Sequence, residues 1–98
     1  MAGQIRVVAY VDIKPGEEAA TENAARDCAQ ASRSEESCIE YTVNRPAGQA
    51  GRLVFVETWQ NKAALEAHMQ TPHFKSFVSV LERSAKGPPD IQELEPIF

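Results

Sequence analysis

Two histidines, His68 and His73, are the side chains of this sequence best suited to moving protons near neutral pH. His68 lies at the edge of an apolar helical stripe. It could act on a substrate, or it could only tie two helices together. His73 follows Thr71-Pro72 in the first turn of a predicted helix, where the positive helix end disfavours a charged imidazole. For His73 we favour a capping or packing role over a place at a pocket mouth.

Glu57 lies on a predicted strand between apolar neighbours, where a carboxylate needs a partner or takes a raised pKa. We expect an ion pair with a strand neighbour such as Arg6. With His68 and His73, Glu57 would complete the two-histidine, one-carboxylate set of non-haem iron oxygenases. The histidines are five positions apart, however, whereas one helical face requires three or four, and a helix break separates them. We therefore expect no metal site.

Three further groups of side chains could contact a ligand. Trp59 and Phe74 could form an aromatic wall for a planar ring, although aromatic residues at such spacings more often belong to the core. Arg6, Tyr10 and Asp12 share one face of the first predicted strand. They could orient a substrate, but we favour a contact surface between two copies of the chain.

The apolar pattern predicts the element order β-α-β-β-α-α-β. The predicted strands cover residues 4–13, 38–44, 52–59 and 90–97. The predicted helices cover residues 15 to between 32 and 37, 61 to about 70, and 72 to 86. An antiparallel four-stranded sheet with helices on one face accommodates this order, which makes the chain a ferredoxin-like α+β domain spanning residues 1–98.

Capping signals and apolar spacing predict how the helices and the second strand are placed. Pro15 suits a first helical turn, while Asn61 and Thr71 are the caps of the two later helices. The predicted buried stripes are Ala20, Ala24, Cys28 and Ala31 in the first helix, and Phe74, Phe77, Val78 and Leu81 in the last. The second strand is expected to place Ile39, Tyr41 and Val43 on one face.

Helices on one side leave the other face of the sheet open. Val8 and Tyr10 occupy that face together with one apolar set of the third strand, either Leu53, Phe55 and Trp59 or Val54 and Val56. A contiguous apolar patch is unusual on a monomer, and a second copy related by a two-fold axis would cover it. We therefore predict a homodimer.

The overall composition excludes several classes of partner. The net charge of −4 is spread along the 98 residues without a basic patch, which disfavours nucleic acids and anionic membranes. No apolar run reaches the length of a membrane helix, and no signal peptide is visible. We expect the two cysteines to be free thiols and the protein to be cytoplasmic.

Several local strings resemble the antibiotic biosynthesis monooxygenase family over essentially the whole chain. Residues 56–59 (VETW) resemble its E-x-W signature, and residues 64–77 (ALEAHMQTPHFKSF) resemble its most characteristic block. Residues 37–41 resemble the G-C-x-x-Y entry to the second strand, with Ser37 in place of Gly. The resemblance implies a dimeric α+β barrel with a pocket between each sheet and its helices. The best-understood members oxygenate quinols and anthrones without metal, flavin or haem.

The resemblance implies roles for the candidate residues, with a small aromatic molecule and dioxygen as partners and no cofactor. His68 would help form the substrate anion, while Trp59 and Phe74 would hold its ring. His73, Glu57, Tyr10 and Arg6 are further substrate-binding candidates.

Other functions of the same scaffold stay open to different degrees. Haem-degrading relatives use Asn, Trp and His where this chain has Ala9, His68 and Val78, which disfavours haem degradation. A non-catalytic binding or stress-response protein is the main alternative. An isomerase of phosphorylated sugars ranks last, because no Gly-rich phosphate cradle is present.

Overall fold

The computed structural model describes residues 3–98 and confirms the predicted element order and fold class; Met1 and Ala2 of the predicted domain lie outside the described part. The elements are β1 (Ile5–Asp12), α1 (Glu18–Arg33), β2 (Cys38–Asn44), β3 (Arg52–Trp59), α2 (Lys62–His68), α3 (Pro72–Ser84) and β4 (Asp90–Leu94). The sheet has the order β2-β3-β1-β4 with antiparallel neighbours. Within residues 3–98, no helix combines the length and the apolar character needed to cross a bilayer.

The alternation of β1 determines which side of the sheet the helices cover. Val7, Ala9 and Val11 are buried under the helices, whereas the residues between them are exposed or half-buried. β4 pairs with β1 up to Leu94, which lies opposite Arg6. Since β1 begins one residue before Arg6, the ladder runs out there, and the predicted extension of β4 to residue 97 was wrong.

The first helix differs from the prediction at its start and in its buried face. Pro15 precedes a turn in which Gly16 has a φ of 90°, and α1 begins only at Glu18. Ala20 is exposed. The buried residues are Thr21, Ala25, Cys28, Ala29 and Ser32. The stripe is therefore rotated by one position, because small polar residues also fit close to the sheet when their hydroxyls are bonded, as Thr21 Oγ1 is to the carbonyl oxygen of Glu17 (2.7 Å).

A register irregularity in β2 corrects the expected position of Ile39. Cys38 pairs with Trp59 and Glu40 with Thr58, so the ladder shifts between Cys38 and Glu40. Such a shift interrupts the alternation of side chains. Ile39 is therefore 50% exposed, while Tyr41 is buried as predicted. Among the described residues both cysteines are free thiols, as expected.

The two later helices begin at the predicted caps. Asn61 Oδ1 accepts a hydrogen bond from the backbone N–H of Ala64 (2.8 Å), and Thr71 Oγ1 accepts one from that of Phe74 (3.3 Å). α2 ends at His68, two residues before the predicted limit. The short connection between α2 and α3 therefore begins directly after a histidine.

β3 is the strand whose two faces the sequence left undecided. Leu53, Phe55 and Trp59 are buried under the helices. The register with β1 places Val54 opposite Tyr10 and Val56 opposite Val8, on the face that no helix covers. The open face thus carries the four apolar residues Val8, Tyr10, Val54 and Val56. Of the two apolar sets of β3 that the sequence allowed on this face, the valine pair is the one that lies there.

Candidate functional site

A small apolar cavity of about 90 Å³ lies between the sheet and the helices α2 and α3. Most of its wall is aliphatic or aromatic, including Phe74, Phe55 and Met69. The polar residues that line it are Tyr41, Glu57, His68 and Glu93, and no lysine or arginine of residues 3–98 is among the lining residues. The position under the helices is the one that the sequence predicted for a pocket.

A larger, open groove of about 480 Å³ lies between α1 and β2 and is a less suitable site. Its arginines are already engaged: Arg33 Nε donates to the carbonyl oxygen of Tyr41 (2.9 Å), and Arg45 pairs with Glu22 (3.0 Å). Arg26 donates to Asn23 (2.9 Å). No histidine of residues 3–98 lines this groove, and it is open to solvent. We therefore take the apolar cavity as the candidate functional site.

His68 is the titratable group held most firmly in the cavity wall. Its side chain is 2% exposed, and its ring lies 4.5 Å from that of Trp59 and 5.1 Å from that of Phe74, between centroids. Burial lowers the pKa of His68, and the Glu35 carboxylate opposes that shift only in part. The imidazole is therefore neutral at pH 7, with one nitrogen that carries hydrogen and one that does not.

Glu35 decides which nitrogen of His68 carries the hydrogen. Glu35 Oε2 lies 2.7 Å from His68 Nδ1. Because a carboxylate only accepts hydrogen bonds, Nδ1 is the donor and Nε2 keeps its lone pair. Among residues 3–98 no side chain hydrogen-bonds Nε2, and the His68 side chain lines the cavity.

Sequence reasoning missed Glu35, although one signal was present. Glu35 and Glu36 follow the last turn of α1, where the negative end of the helix dipole disfavours acidic side chains. For Glu35 this cost is offset by hydrogen bonds to specific partners. The partners are His68 and His73, which lie in other segments of the chain and cannot be identified from spacing alone.

His73 contacts the same carboxylate as His68, which the five-residue spacing and the helix break had not predicted. His73 Nε2 lies 2.7 Å from Glu35 Oε2, and the two imidazole centroids are 5.8 Å apart. The break between α2 and α3 lies between the two histidines and allows their rings to approach each other. The carboxylate between them is Glu35 rather than Glu57.

Glu57 is buried without the predicted ion pair. Arg6 points to the opposite face of β1, and the partner of Glu57 is Trp59, whose indole Nε1 donates to Glu57 Oε1 (2.9 Å). Burial, with a smaller contribution from the negative charge of Glu35, raises the pKa of Glu57 to about 7. The cavity therefore contains a carboxyl group that exchanges its proton near neutral pH.

The structure divides the remaining candidates into three positions. Phe74 lines the cavity, as proposed for an aromatic wall. Trp59 is fully buried and is not among the residues that line the cavity. Its indole N–H donates to Glu57, and its ring packs against that of His68. Arg6 and Tyr10 lie on the open face of the sheet and do not reach the cavity of their own chain.

Tyr41 is a further polar group of the cavity that the sequence analysis assigned only to a strand face. Its hydroxyl lies 3.7 Å from Cys28 Sγ, and its ring centroid is 5.7 Å from that of His68. Burial raises the pKa of Tyr41, so the phenol stays protonated. It adds a hydrogen-bonding group close to Glu57 and His68.

Residues 4–80 match the sequence model of a family described as antibiotic biosynthesis monooxygenase. The Bacillus subtilis protein named "Putative monooxygenase YcnE" is 30% identical over 87 residues, which cover 89% of this chain and 92% of that protein. The crystal structure of PA3566 from Pseudomonas aeruginosa is similar with a TM-score of 0.92 and 26% identity, covering 100% of this chain and 98% of that one. A Bacteroides thetaiotaomicron protein described as a possible oxidoreductase is 27% identical with a TM-score of 0.87, covering 95% and 97%.

Proposed function

Because the chain belongs to the antibiotic biosynthesis monooxygenase family, we propose that it is a cofactor-independent monooxygenase of a small aromatic quinol or a related enolisable phenol. The observation that carries the proposal is the neutral imidazole of His68 in an apolar cavity, with its Nδ1–H held by Glu35 and no side chain of residues 3–98 hydrogen-bonded to its Nε2. A base oriented by a carboxylate is the arrangement that removes a proton from a weakly acidic hydroxyl.

The first step is the transfer of the phenolic proton to His68 Nε2. The imidazolium that forms is stabilised by the Glu35 carboxylate, 2.7 Å from Nδ1. The resulting phenolate is electron-rich enough to pass an electron to dioxygen directly, so no cofactor has to supply one. For a hydroquinone the balance is quinol plus dioxygen giving hydroxyquinone plus water, with one oxygen atom inserted at a ring carbon.

Glu57 and the apolar walls support the later steps. With a pKa raised to about 7, Glu57 can hold the proton that the departing oxygen atom needs to form water. The aliphatic and aromatic residues that form most of the wall would limit the contact of the reactive anion with water.

The size of the cavity favours a single ring over a fused tricycle such as an anthrone. At about 90 Å³ it is smaller than a cavity of about 150 Å³ that admits benzene in another protein. Substrate entry therefore requires the wall to widen. Met69, Phe74 and Val78 are the partly buried wall residues that can move most easily.

Oxygen uptake with a panel of reduced quinones tests the proposal. We expect uptake above the rate of spontaneous autoxidation, and one ¹⁸O atom from ¹⁸O₂ in the product. His68→Gln should lower kcat by about 10²-fold or more, because the proton acceptor is lost. The matched control is Gln70→Ala, an exposed substitution just after α2. Equal rates for His68→Gln and the unaltered protein would contradict the proposed role of His68.

One observation favours the non-catalytic alternative, a small-molecule-binding protein on the same scaffold. The cavity is small and its wall is mostly apolar, which also suits ligand storage without turnover. A thermal shift with phenols, but no oxygen uptake with any of them, would support that alternative. A sugar-phosphate substrate is disfavoured because no cation among residues 3–98 lines the cavity.

The proposal includes a homodimer formed through the open face of the sheet. Val8, Tyr10, Val54 and Val56 form an apolar centre on this face. Arg6 lies at its border and would take part in the contact. A second copy related by a two-fold axis would remove these groups from water.

A further inference from the structure

We propose that Glu35, His68 and His73, together called the Glu–His cluster, form a binding site for a divalent transition-metal ion of the zinc class. One ligand atom from each residue lies within 4.8 Å of the other two. Both imidazole nitrogens are 2.7 Å from the same carboxylate oxygen, which brings one ligand atom of each residue into one small cluster.

The donor set determines which ions the cluster would select. Two imidazole nitrogens and one carboxylate oxygen suit Zn²⁺, Co²⁺, Fe²⁺ and Ni²⁺, whereas Mg²⁺ and Ca²⁺ prefer oxygen ligands throughout. Three protein ligands leave at least one coordination position for water. We therefore expect one ion per chain with an open position.

The backbone already holds the three ligands near each other. The hydroxyl and the N–H of Thr71 both donate to the carbonyl oxygen of His68 (2.6 and 3.1 Å), which fixes the turn between the two histidines. The N–H of Glu35 donates to the carbonyl oxygen of Ser32, and its own carbonyl accepts from Cys38, both at 3.0 Å. Ligand atoms around a tetrahedral zinc ion lie about 3.3 Å apart, so each of the two nitrogen–oxygen distances has to lengthen by only about 0.6 Å.

The cluster is open to solvent on the side away from the cavity. The side chains of Glu35 and His73 are 18% and 24% exposed, whereas that of His68 is 2% exposed. An ion can therefore enter at His73 and reach the buried Nδ1 of His68. No lysine or arginine among the described residues pairs with Glu35 and would compete with the ion.

Occupation of this site would change the chemistry of the cavity. A metal ion at Nδ1 needs the lone pair of that nitrogen, so the single hydrogen of the neutral His68 ring moves to Nε2. Nε2 then becomes a hydrogen-bond donor and can no longer accept a phenolic proton. This consequence, which rests on the proposed function, makes the metal an inhibitor of oxygenation rather than its cofactor.

The binding test uses chelator-treated protein titrated with Co²⁺ and Zn²⁺. We expect one Co²⁺ per chain with the visible absorption of a nitrogen–oxygen site, displacement by Zn²⁺, and no effect of Mg²⁺. His73→Ala and Glu35→Gln should each weaken binding at least about tenfold. Glu35→Gln removes the charged carboxylate ligand but keeps an oxygen that accepts hydrogen bonds from the two histidines. Weaker binding in this variant therefore reports the loss of a ligand rather than a loss of structure.

Two variants serve as controls for the titration. Glu36→Gln removes the neighbouring exposed carboxylate, and Cys38→Ser removes the nearest thiol in sequence. Both should bind Co²⁺ as the unaltered protein does. The metal proposal is overturned if the unaltered protein does not saturate with either ion, or if neither His73→Ala nor Glu35→Gln weakens binding.

A second measurement tests the inhibition and keeps the two proposals distinguishable. Saturating Zn²⁺ should reduce quinol-dependent oxygen uptake to the level of His68→Gln, and the dose needed should rise at least tenfold in His73→Ala. Bound Zn²⁺ without an effect on uptake would refute the inhibition. If no quinol is oxidised at all, the proposed function fails, while the Co²⁺ titration still decides the metal site.

Discussion

The two faces of β3 carry apolar residues for different reasons. On the inner face Leu53, Phe55 and Trp59 are buried by the helices of the same chain. On the outer face Val54 and Val56 are half-buried, although they are as apolar as their inner counterparts. The inner face is covered by helices of the same chain, whereas none of the described helices covers the outer face.

The polar residues of β3 sharpen this comparison. Glu57 on the inner face is almost fully buried and depends on one indole hydrogen bond, so its charge is costly. Arg52 on the outer face pairs with Asp12 in water (2.9 Å) at little cost. The carboxyl whose charge is costly therefore lies in the cavity wall, and the exposed ion pair lies on the outer surface.

The largest effect is expected from Trp59→Ala on the inner face. The side chain is fully buried, and its loss leaves a void behind His68 and removes the donor of Glu57. We expect a loss of about 3–5 kcal/mol in the free energy of unfolding, measured by urea denaturation. Trp59→Phe keeps most of the packing and removes only the N–H, so it should cost about 1–3 kcal/mol. A cost below about 1 kcal/mol for Trp59→Ala would show that this face is not a packed core.

The next largest effect is expected from Val56→Asp on the outer face. A two-fold axis would bring two unpaired carboxylates into the contact, so we expect dimerisation to weaken about a hundredfold or more, about 2.7 kcal/mol. Size-exclusion chromatography with light scattering measures the mass at several concentrations. Ala20→Asp, which places the same charge on the exposed side of α1, should leave the dimer intact. An unaltered protein that is monomeric at micromolar concentration would remove the homodimer proposal.

Local signals predicted most of the fold, and non-local contacts explain the errors. The bounds of β2 and β3 and the caps Asn61 and Thr71 were predicted correctly, because alternation and capping depend on neighbouring residues. The exposed position of Ile39 depends on how β2 registers with β3, which no spacing within β2 reveals. The end of β4 likewise depends on where β1 begins.

Residues of the candidate site were predicted correctly only when their position within a single helix or strand was enough to identify them. His68 and Phe74 lie in the cavity wall, as their helical positions suggested. Glu35 could not be connected with His68 and His73, because the contact joins residues 33 and 38 positions apart. Trp59 was predicted as a possible wall residue because the sequence does not distinguish a buried aromatic ring from one that lines a cavity; the ring is fully buried and is not among the residues that line the cavity.

Glu57→Gln tests the cost of the carboxyl on the inner face through the pH dependence of stability. The pKa of Glu57 is raised by burial from 4.5 to about 7, so between these values the folded state holds a proton that the unfolded state has released. Its contribution to stability is therefore greatest at low pH and falls as the pH rises, by about 2–3 kcal/mol between pH 5 and pH 8.

Gln cannot ionise and its carbonyl oxygen still accepts from Trp59, so the difference in unfolding free energy between Glu57→Gln and the unaltered protein should grow with pH. Urea denaturation at several pH values measures it. The exposed substitution Glu66→Gln is the control and should show no such trend. A constant difference across this range would mean that Glu57 is ionised in the folded state throughout.

The smallest effect is expected from Arg52→Ala at the edge of the outer face. The guanidinium pairs with Asp12 (2.9 Å) and lies 5.0 Å from the ring centroid of Tyr10, but 42% of its side chain is exposed. In a single chain such contacts contribute under about 1 kcal/mol, because water screens both. If a second copy covers Tyr10, the same contacts are desolvated and matter more. The cost of Arg52→Ala should then rise with protein concentration, and a cost that does not change would place Arg52 outside the dimer contact.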